Sequence, residues 1–317
     1  MIGPGIMPIP PDAWGGVESL IWNCKQELER QGHEVMIQNT WLGNNLEVDV
    51  NIIKAAISNI NNWGPDFVHL HYDAYADIMP FINAPRAMTS HYPYLDYPSK
   101  RHGYEWIFHK FAKNHSYVFS LSDRNESHFK SFGVHEQLSY VWPGGVLSEK
   151  FHFSNNPSKA NKAICLGKVE PRKLQATLQK HTSLVDFVGP IADPSFSSDS
   201  SYLGVWSREQ VYSNLTEYGS MVLLSDGESA PQVVMEALVT GLGLVLSEEA
   251  AANLDTSLPF ITIFNGNMNT LDEQISENIE ASSRMRDEIR EYGIEKFGIS
   301  NAVKRYTNKI NELRENA

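Results

Sequence analysis

Two glutamates, Glu228 and Glu236, stand eight positions apart within residues 220–247, SMVLLSDGESAPQVVMEALVTGLGLVLS. The pattern of this segment predicts a strand, a turn, a helix and a second strand, with Glu228 in the turn and Glu236 in the helix. Ser229 and Gln232 fit the capping-box pattern, and Pro231 is tolerated in a first helical turn. Since the N–H groups of such a turn favour an anion, we expect a phosphate site here.

Three cations follow a predicted strand in residues 166–173, LGKVEPRK: Lys168, Arg172 and Lys173. Positive charge at this place would stabilise negative charge on a bound group. The alternative interpretation is a solvated basic turn.

A glycine pair and a histidine add to the candidates. Gly15 and Gly16, in WGGVE, open the first predicted helix, where paired glycines permit close backbone approach to a ligand. The alternative is a tight turn without function. His91, in TSHYPY, follows a predicted strand and has either a ligand contact or a structural role, while His69 and His71 alternate on a strand and receive no role.

The elements that position these residues alternate between short apolar runs and helical patterns, which is typical of βαβ units with parallel sheets. Before Gly3, where a first strand is expected, only Met1 and Ile2 stand, so this strand is very short or the sequence begins inside it. A turn at residues 143–145 and a polar stretch at 154–161 mark a domain junction. We predict strands at 34–39, 67–71, 87–90, 117–122, 162–167, 184–188, 220–224 and 242–246, and helices at 17–31, 100–113, 173–180, 208–218, 231–239 and 299–313.

The spacing E-x7-E on a strand–turn–helix, followed by EAL…G…V, resembles the signature of the retaining GT-B glycosyltransferases called family 4. The glycine loop, the PGG-V turn, the basic pair and the two glutamates follow in that family's order. GHEV at residues 32–35 also matches its second strand, where we interpret His33 as structural. The resemblance implies an α/β GT-B fold, with two Rossmann-like domains facing across a cleft. Their expected bounds are 1–152 for the acceptor side, 153–298 for the nucleotide-sugar side and 299–317 for a helix that returns to the first domain.

By this resemblance Glu228 contacts the donor sugar and Glu236 holds the ribose hydroxyls. The chain departs from the family at Ser229 and Pro231, where glycines are common, and at Lys168, where arginine is common. The resemblance also implies a nucleotide-diphosphate sugar as the donor and a carbohydrate, glycolipid or glycoprotein as the acceptor. The resemblance implies that the diphosphate is contacted by Lys168, Lys173, the neighbouring Arg172 and the N–H groups of Ser229 and Ala230. It also implies that Gly15 and Gly16 contact the donor phosphate or the acceptor, and that His91 lies near the transferred sugar.

Composition and motif content argue against nucleic-acid-binding proteins and metal-dependent enzymes. The formal net charge of −12 and the pI of about 5.4 argue against nucleic-acid binding. No D-x-D motif or cluster with metal-ligand spacing is present, so we expect no metal and no cofactor. Two cysteines in different domains, no leader pattern and no spanning apolar run predict a cytoplasmic protein.

Residues 98–115 are basic and aromatic. Such a segment can contact an anionic membrane peripherally. The alternative, which we favour, is that its apolar face packs inside the N-terminal domain.

Three other functions stay open at this point. The first is a nicotinamide-dependent dehydrogenase, suggested by Gly3 and Gly5 in a G-x-G pattern. The second is a sugar-nucleotide epimerase of the same fold. The third is a catalytically degenerate sugar-nucleotide-binding protein.

Overall fold

The computed structural model describes residues 1–12, 14–41, 49–101 and 103–315, which divide into two units. One unit holds Met1–Gly144 and the chain from Ala302 onward, and the other holds Gly145–Asn301. The units therefore meet after Gly144 and after Asn301, whereas the expected limits were residues 152 and 298. The roles expected for the two domains stay predictions.

The sheet of the N-terminal unit has four parallel strands in the order β1-β2-β3-β4. Ile2 extends it beyond β1, with parallel bridges to both Leu70 and Gln38. The strands are β1 (Val68–Leu70), β2 (Arg86–Met88), β3 (Tyr117–Ser120) and β4 (Ser139–Val141), and the helices are α1 (Gly16–Arg30), α2 (Val50–Trp63), α3 (Trp106–Lys113) and α4 (Asp123–Ser131).

Two predicted elements of this unit are shorter than expected. In the predicted strand 34–39 only Gln38 makes a bridge, to Ile2, and backbone hydrogen bonds from Gln38 to Met1 and from Gly3 to Gln38 flank it. The helix predicted at 100–113 begins only at Trp106. Gly103 has a φ of 80°, a left-handed conformation that interrupts a helix, and His102 within this range lies outside the described residues.

The apolar face of α3 packs inside the unit. Ile107, Phe108 and Phe111 are buried in the same core as β1 and β3. The nearby Arg101 is also buried, and its guanidinium lies 4.8 Å from the centre of the Phe108 ring. These contacts agree with the interpretation that the apolar face of this segment packs inside the N-terminal domain. Peripheral membrane contact stays a prediction.

The last helix, α10 (Ile299–Glu315), supplies the end of the chain to the N-terminal unit. The buried indole of Trp142 donates a hydrogen bond to the carbonyl of Ala302 at 3.0 Å. The Tyr306 ring lies 4.8 Å from the Trp142 ring. From Ala302 onward the helix therefore packs beside the end of β4.

The sheet of the second unit has five parallel strands in the order β6-β5-β7-β8-β9. From β5 the chain moves to one side to form β6 and then crosses to the other side of β5 to form β7, so the strand order reverses between β5 and β7. The strands are β5 (Lys159–Leu166), β6 (Val185–Val188), β7 (Tyr218–Leu223), β8 (Gly243–Leu246) and β9 (Ile261–Ile263), and the helices are α5 (Gln175–His181), α6 (Arg208–Asn214), α7 (Gln232–Val239), α8 (Leu271–Ser283) and α9 (Arg286–Phe297).

Burial explains why the strands of this second sheet are readable from the sequence. All residues of β6, β7 and β8 are buried, as expected for parallel strands covered on both faces. Within the described ranges, no helix combines the length and the apolar character needed to cross a bilayer.

Candidate functional site

The candidate residues of the second unit meet where its strand order reverses. Lys168, Arg172 and Lys173 follow the carboxyl end of β5, and Glu228 follows the carboxyl end of β7. In open α/β sheets, ligands bind outside the carboxyl ends of the strands at such a reversal. The topology therefore brings two segments that are 55 residues apart to one place of this unit.

The side chain of Arg172 joins these two segments. One guanidinium nitrogen lies 2.9 Å from Glu228 Oε1 and also donates to the Gly227 carbonyl, and the other lies 2.7 Å from Glu170 Oε1. The Ser225 hydroxyl donates to the same Glu228 oxygen at 3.0 Å. Burial lowers the pKa of Arg172, but the neighbouring carboxylates outweigh burial and raise it. Glu228 is thus held by an arginine and a hydroxyl.

The two lysines stand differently. Lys168 is exposed and Lys173 is half-buried, and neither forms an ion pair within the part of the chain that the structure describes. Lys173 Nζ lies 3.0 Å from the point where a β-carbon on Gly167 would stand, and Gly167 has a φ of 145°. A larger residue at Gly167 would therefore be strained and would crowd this ammonium group. The lysine charges remain available to an anion.

Glu236 is buried in α7, with 2% of its surface exposed. Its Oε1 accepts a hydrogen bond from Arg208 Nη2 at 2.8 Å. Its Oε2 is buried and has no hydrogen-bond partner among the described residues. A buried carboxylate oxygen without a partner costs about 1–3 kcal/mol, so a ligand hydroxyl donor would stabilise it.

Arg208 is the residue that sequence analysis missed. It is the first residue of α6, and its guanidinium lies 4.9 Å from the centre of the Tyr212 ring. Burial lowers the pKa of Arg208, but Glu236 outweighs burial and raises it. The signal in the sequence is the capping box formed by Ser207 and Gln210, which fixes where α6 begins.

Ser229 and Ala230 lie in the turn between β7 and α7, as predicted, but the predicted capping box is wrong. The helix begins at Gln232, and Pro231 is its N-cap residue. Proline has no side-chain acceptor for the first N–H groups of a helix. Ser229 is buried and Ala230 half-buried in this turn. Their contact with a diphosphate stays a prediction.

In the N-terminal unit, Gly15 and Gly16 open α1, with Gly15 as its N-cap residue. A β-carbon on Gly15 would lie 2.7 Å from Glu18 Oε2, whereas one on Gly16 would meet no heavy atom within 4 Å. A side chain at Gly15 would therefore displace the end of the Glu18 side chain, whereas one at Gly16 would displace nothing. Glu18 itself is buried, and burial raises the pKa of its carboxyl group.

His91 lies three residues past β2, in a row with His71 and His69, the two histidines that received no role in the sequence analysis. The His71 Nδ1 atom lies 3.4 Å from His91 Nε2, and the His69 and His71 rings are 4.0 Å apart. His69 is fixed by Thr89 at 2.8 Å and by Tyr306 at 3.1 Å. Burial lowers the pKa of His91 to about 4 and lowers the pKa values of His69 and His71 well below their usual range. The row is therefore neutral near pH 7.

No group of three or more His, Cys, Asp or Glu side chains among the described residues is placed to hold a metal ion. Cys24 and Cys165 are both free and buried. Burial raises the pKa of the Cys165 thiol to about 12 even though the nearby Lys173 charge lowers it. Neither thiol is a reactive nucleophile in this environment.

No protein-family model matches the chain, and no curated protein matches it in sequence. Solved structures do match it. Sucrose-phosphate synthase from Thermosynechococcus elongatus is 13% identical with a TM-score of 0.74, over 96% of this chain and 94% of that chain. AviGT4, a glycosyltransferase involved in avilamycin A biosynthesis, is 16% identical with a TM-score of 0.67, over 98% and 94%. HepE from Anabaena, in complex with UDP and glucose, is 14% identical with a TM-score of 0.65, over 91% and 89%.

The chain has the GT-B fold. The expected fold is confirmed, with two parallel sheets that match those of the glycosyltransferase structures. In this GT-B chain, Lys168, Arg172, Lys173 and Glu228 lie in one unit around the reversal between β5 and β7, with Glu236 on the helix that follows. Gly15, Gly16 and His91 lie in the other unit.

Proposed function

We propose that this protein is a glycosyltransferase that moves a sugar from a nucleotide-diphosphate sugar to an acceptor hydroxyl. One observation carries the proposal. At the strand-order reversal of the second unit, Lys168 and Lys173, which form no ion pair among the described residues, follow β5, and Glu228, paired with Arg172 at 2.9 Å, follows β7. Cations for a leaving diphosphate and carboxylates for sugar hydroxyls are the two needs of this chemistry.

Each residue has a defined part in the proposed reaction. Lys168 and Lys173 stabilise the negative charge that develops on the diphosphate as the bond to the sugar breaks. Glu228 accepts hydrogen bonds from hydroxyls of the sugar, and Glu236 accepts one from the ribose. The N–H groups of Ser229 and Ala230 approach the diphosphate.

We further propose that the reaction retains the anomeric configuration and needs no metal ion. The departing diphosphate takes the proton of the acceptor hydroxyl while the acceptor oxygen bonds to the sugar on the face that the leaving group vacates. Glu228 is already engaged by Arg172 and Ser225, which suits a binding role better than that of a nucleophile. The lysines supply the charge that a divalent cation would otherwise provide.

HepE was solved with UDP and glucose, so a uridine diphosphate sugar is the first donor to test. For the acceptor we propose a carbohydrate, whether free or on a lipid or protein carrier. Its binding is assigned to the N-terminal unit.

The geometry of Gly3 and Gly5 argues against the dehydrogenase alternative. A β-carbon on Gly3 would lie 2.7 Å from Ile9, and one on Gly5 would lie 2.6 Å from the backbone nitrogen of Trp41. The glycines thus serve packing against the chain itself. The next helix begins only at Gly16, so no helix N-terminus follows the G-x-G pattern directly.

Thermal unfolding in the presence of UDP, GDP, ADP and their sugar derivatives, with and without EDTA, tests the donor site. A ligand that binds the native state raises the melting temperature by mass action. We expect a rise with one nucleotide family that EDTA leaves unchanged and that Glu236→Ala abolishes. A rise with NAD(H) alone would refute the proposal.

Product analysis separates transfer from binding. Incubation of the best donor with candidate acceptors, followed by NMR of the product, reports both sugar transfer and anomeric configuration. A donor that binds but never loses its sugar to any acceptor or to water would identify a binding protein, and conversion of the donor sugar without an acceptor would identify an epimerase.

A further inference from the structure

We infer that Arg208 is a positioning residue for nucleotide recognition, and that it acts through Glu236 to set the preference for ribose. This inference rests on the proposed donor site. Its starting point is the asymmetry of Glu236, whose Oε1 accepts from Arg208 at 2.8 Å while its buried Oε2 has no partner among the residues that the structure describes.

The position of Arg208 is fixed from two sides. The capping box of Ser207 and Gln210 sets the start of α6, so Arg208 projects from a defined first helical turn. Its guanidinium also lies over the Tyr212 ring at 4.9 Å, and Tyr212 packs edge-on against Phe151 at 4.9 Å. A cation stacked on a buried aromatic ring has little freedom to leave its carboxylate.

The consequence for the carboxylate is specific. Since Arg208 donates to Oε1, Oε2 is the oxygen of Glu236 that can accept a hydrogen bond from a ligand, and its orientation is fixed by the pair with Arg208. A carboxylate is an acceptor only, so its complement is a hydroxyl or amine donor. In a nucleotide the neighbouring 2′- and 3′-hydroxyls are such donors. Glu236, oriented by Arg208, would therefore distinguish a ribonucleotide from a deoxyribonucleotide, which lacks one of these hydroxyls.

The alternative role for Arg208 is direct contact with the nucleotide, because its side chain is 39% exposed. The two roles differ in a measurable way. A direct contact to phosphate or base would weaken ribo- and deoxyribonucleotides equally, whereas action through Glu236 would weaken only the binding that depends on the sugar hydroxyls.

Calorimetry on the full chain tests this difference. The probes are the best-binding nucleoside diphosphate among UDP, GDP and ADP and its 2′-deoxy and 3′-deoxy forms. The variants are Arg208→Met, Glu236→Gln and the double variant. Arg172→Met, which removes the arginine of the other glutamate, is the matched control.

We expect the wild type to prefer one or both ribose hydroxyls by about tenfold or more, the size of a hydrogen bond to a charged group. Arg208→Met and Glu236→Gln should each remove most of that preference, and the double variant should be no worse than Glu236→Gln within about twofold. Arg172→Met should keep the preference.

An unchanged ribose preference in Arg208→Met, or losses that multiply in the double variant, would overturn the role of Arg208 and leave the donor site standing. If the wild type binds no nucleoside diphosphate, the proposed function fails and this role fails with it. Where Arg208→Met does not fold, Arg208→Lys carries the test: it keeps the charge, loses the planar guanidinium geometry and should reduce the preference partly.

Discussion

Replacing Arg172 by methionine should separate recognition of the sugar from recognition of the diphosphate. Arg172 Nη1 lies 2.9 Å from Glu228 Oε1, and the two side chains are 20% and 12% exposed. At this distance, with an effective dielectric constant of about 20, the attraction is roughly 6 kcal/mol before desolvation is subtracted. A net value of about 1.5–3 kcal/mol is typical of hydrogen bonds to charged groups.

This net value corresponds to roughly a tenfold to hundredfold change in equilibrium. If Arg172 acts by holding Glu228 against the sugar, Arg172→Met should lower kcat/KM for the nucleotide sugar by about this factor. The affinity for the bare nucleoside diphosphate should change less than about threefold, since Lys168 and Lys173 contact the diphosphate in the proposed site.

The assay combines steady-state kinetics with calorimetry for nucleoside diphosphate and nucleotide sugar, on Arg172→Met, Glu228→Gln and the double variant. The double variant should lose little more than either single variant. Arg284→Met, which breaks an exposed pair with Glu280, controls for the loss of an arginine and should have no effect. Equal losses of diphosphate and nucleotide-sugar affinity in Arg172→Met would refute the reasoning, because the arginine would then contact the diphosphate.

Three further predictions concern stability and reactivity. Because the pKa of His91 is lowered to about 4, only the unfolded state binds a proton at this side chain as the pH falls from about 6.5 towards 4. His91 should therefore lower the free energy of unfolding by up to about 3 kcal/mol at the acidic end of this range. In urea unfolding, the stability of His91→Asn relative to the wild type should rise as the pH falls, and a constant difference would contradict this. Burial raises the pKa of acids such as Asp73, which act in the opposite direction, but their contribution cancels in the difference between the two proteins. Gly243→Ala should destabilise the chain by about 1–3 kcal/mol in the same assay, since the new β-carbon would lie 2.8 Å from Ser282 Cβ, whereas an unchanged midpoint would mean that the site can relax. Cys165, with a pKa of about 12, should react with a thiol reagent at pH 8 at least ~1,000-fold more slowly in the native than in the denatured protein, and comparable rates would show that it is accessible.

Much of the second unit could be predicted because its strands are buried on both faces. The residues of β6, β7 and β8 are all buried, so each strand appears in the sequence as a short apolar run between turns. The helix that follows β7 was also predicted, although its cap was not, since Ser229 lies in the preceding turn and Pro231 caps the helix.

The N-terminal unit was harder to predict because several of its elements have weak apolar patterns. In α2 only Ala56 and Ile60 are buried, and α4 buries only Asn125 and Phe129. The three residues of β4 are all half-buried, so no apolar run marks the strand. Their positions depend on packing against neighbours that a local sequence window does not contain.

The same limit applies to the candidate site. Glu228 and Glu236 were found because one strand–turn–helix fixes their spacing, and the cations were found because they follow a strand. Their arginine partners could not be assigned. Arg172 meets Glu228 only because β5 and β7 are neighbours in the sheet, and Arg208 lies 28 residues from Glu236 along the chain.

The pairing explains how a chain of net charge −12 can offer a site to an anion. Glu228 and Glu236 would repel a diphosphate if they stood alone, but each pairs with an arginine, at 2.9 and 2.8 Å, and Arg172 pairs with Glu170 as well. Within the described part of the site, Lys168 and Lys173 form no ion pair. In the proposed site, the arginines would therefore allow carboxylates that bind hydroxyls to lie near lysines whose charges stabilise the diphosphate.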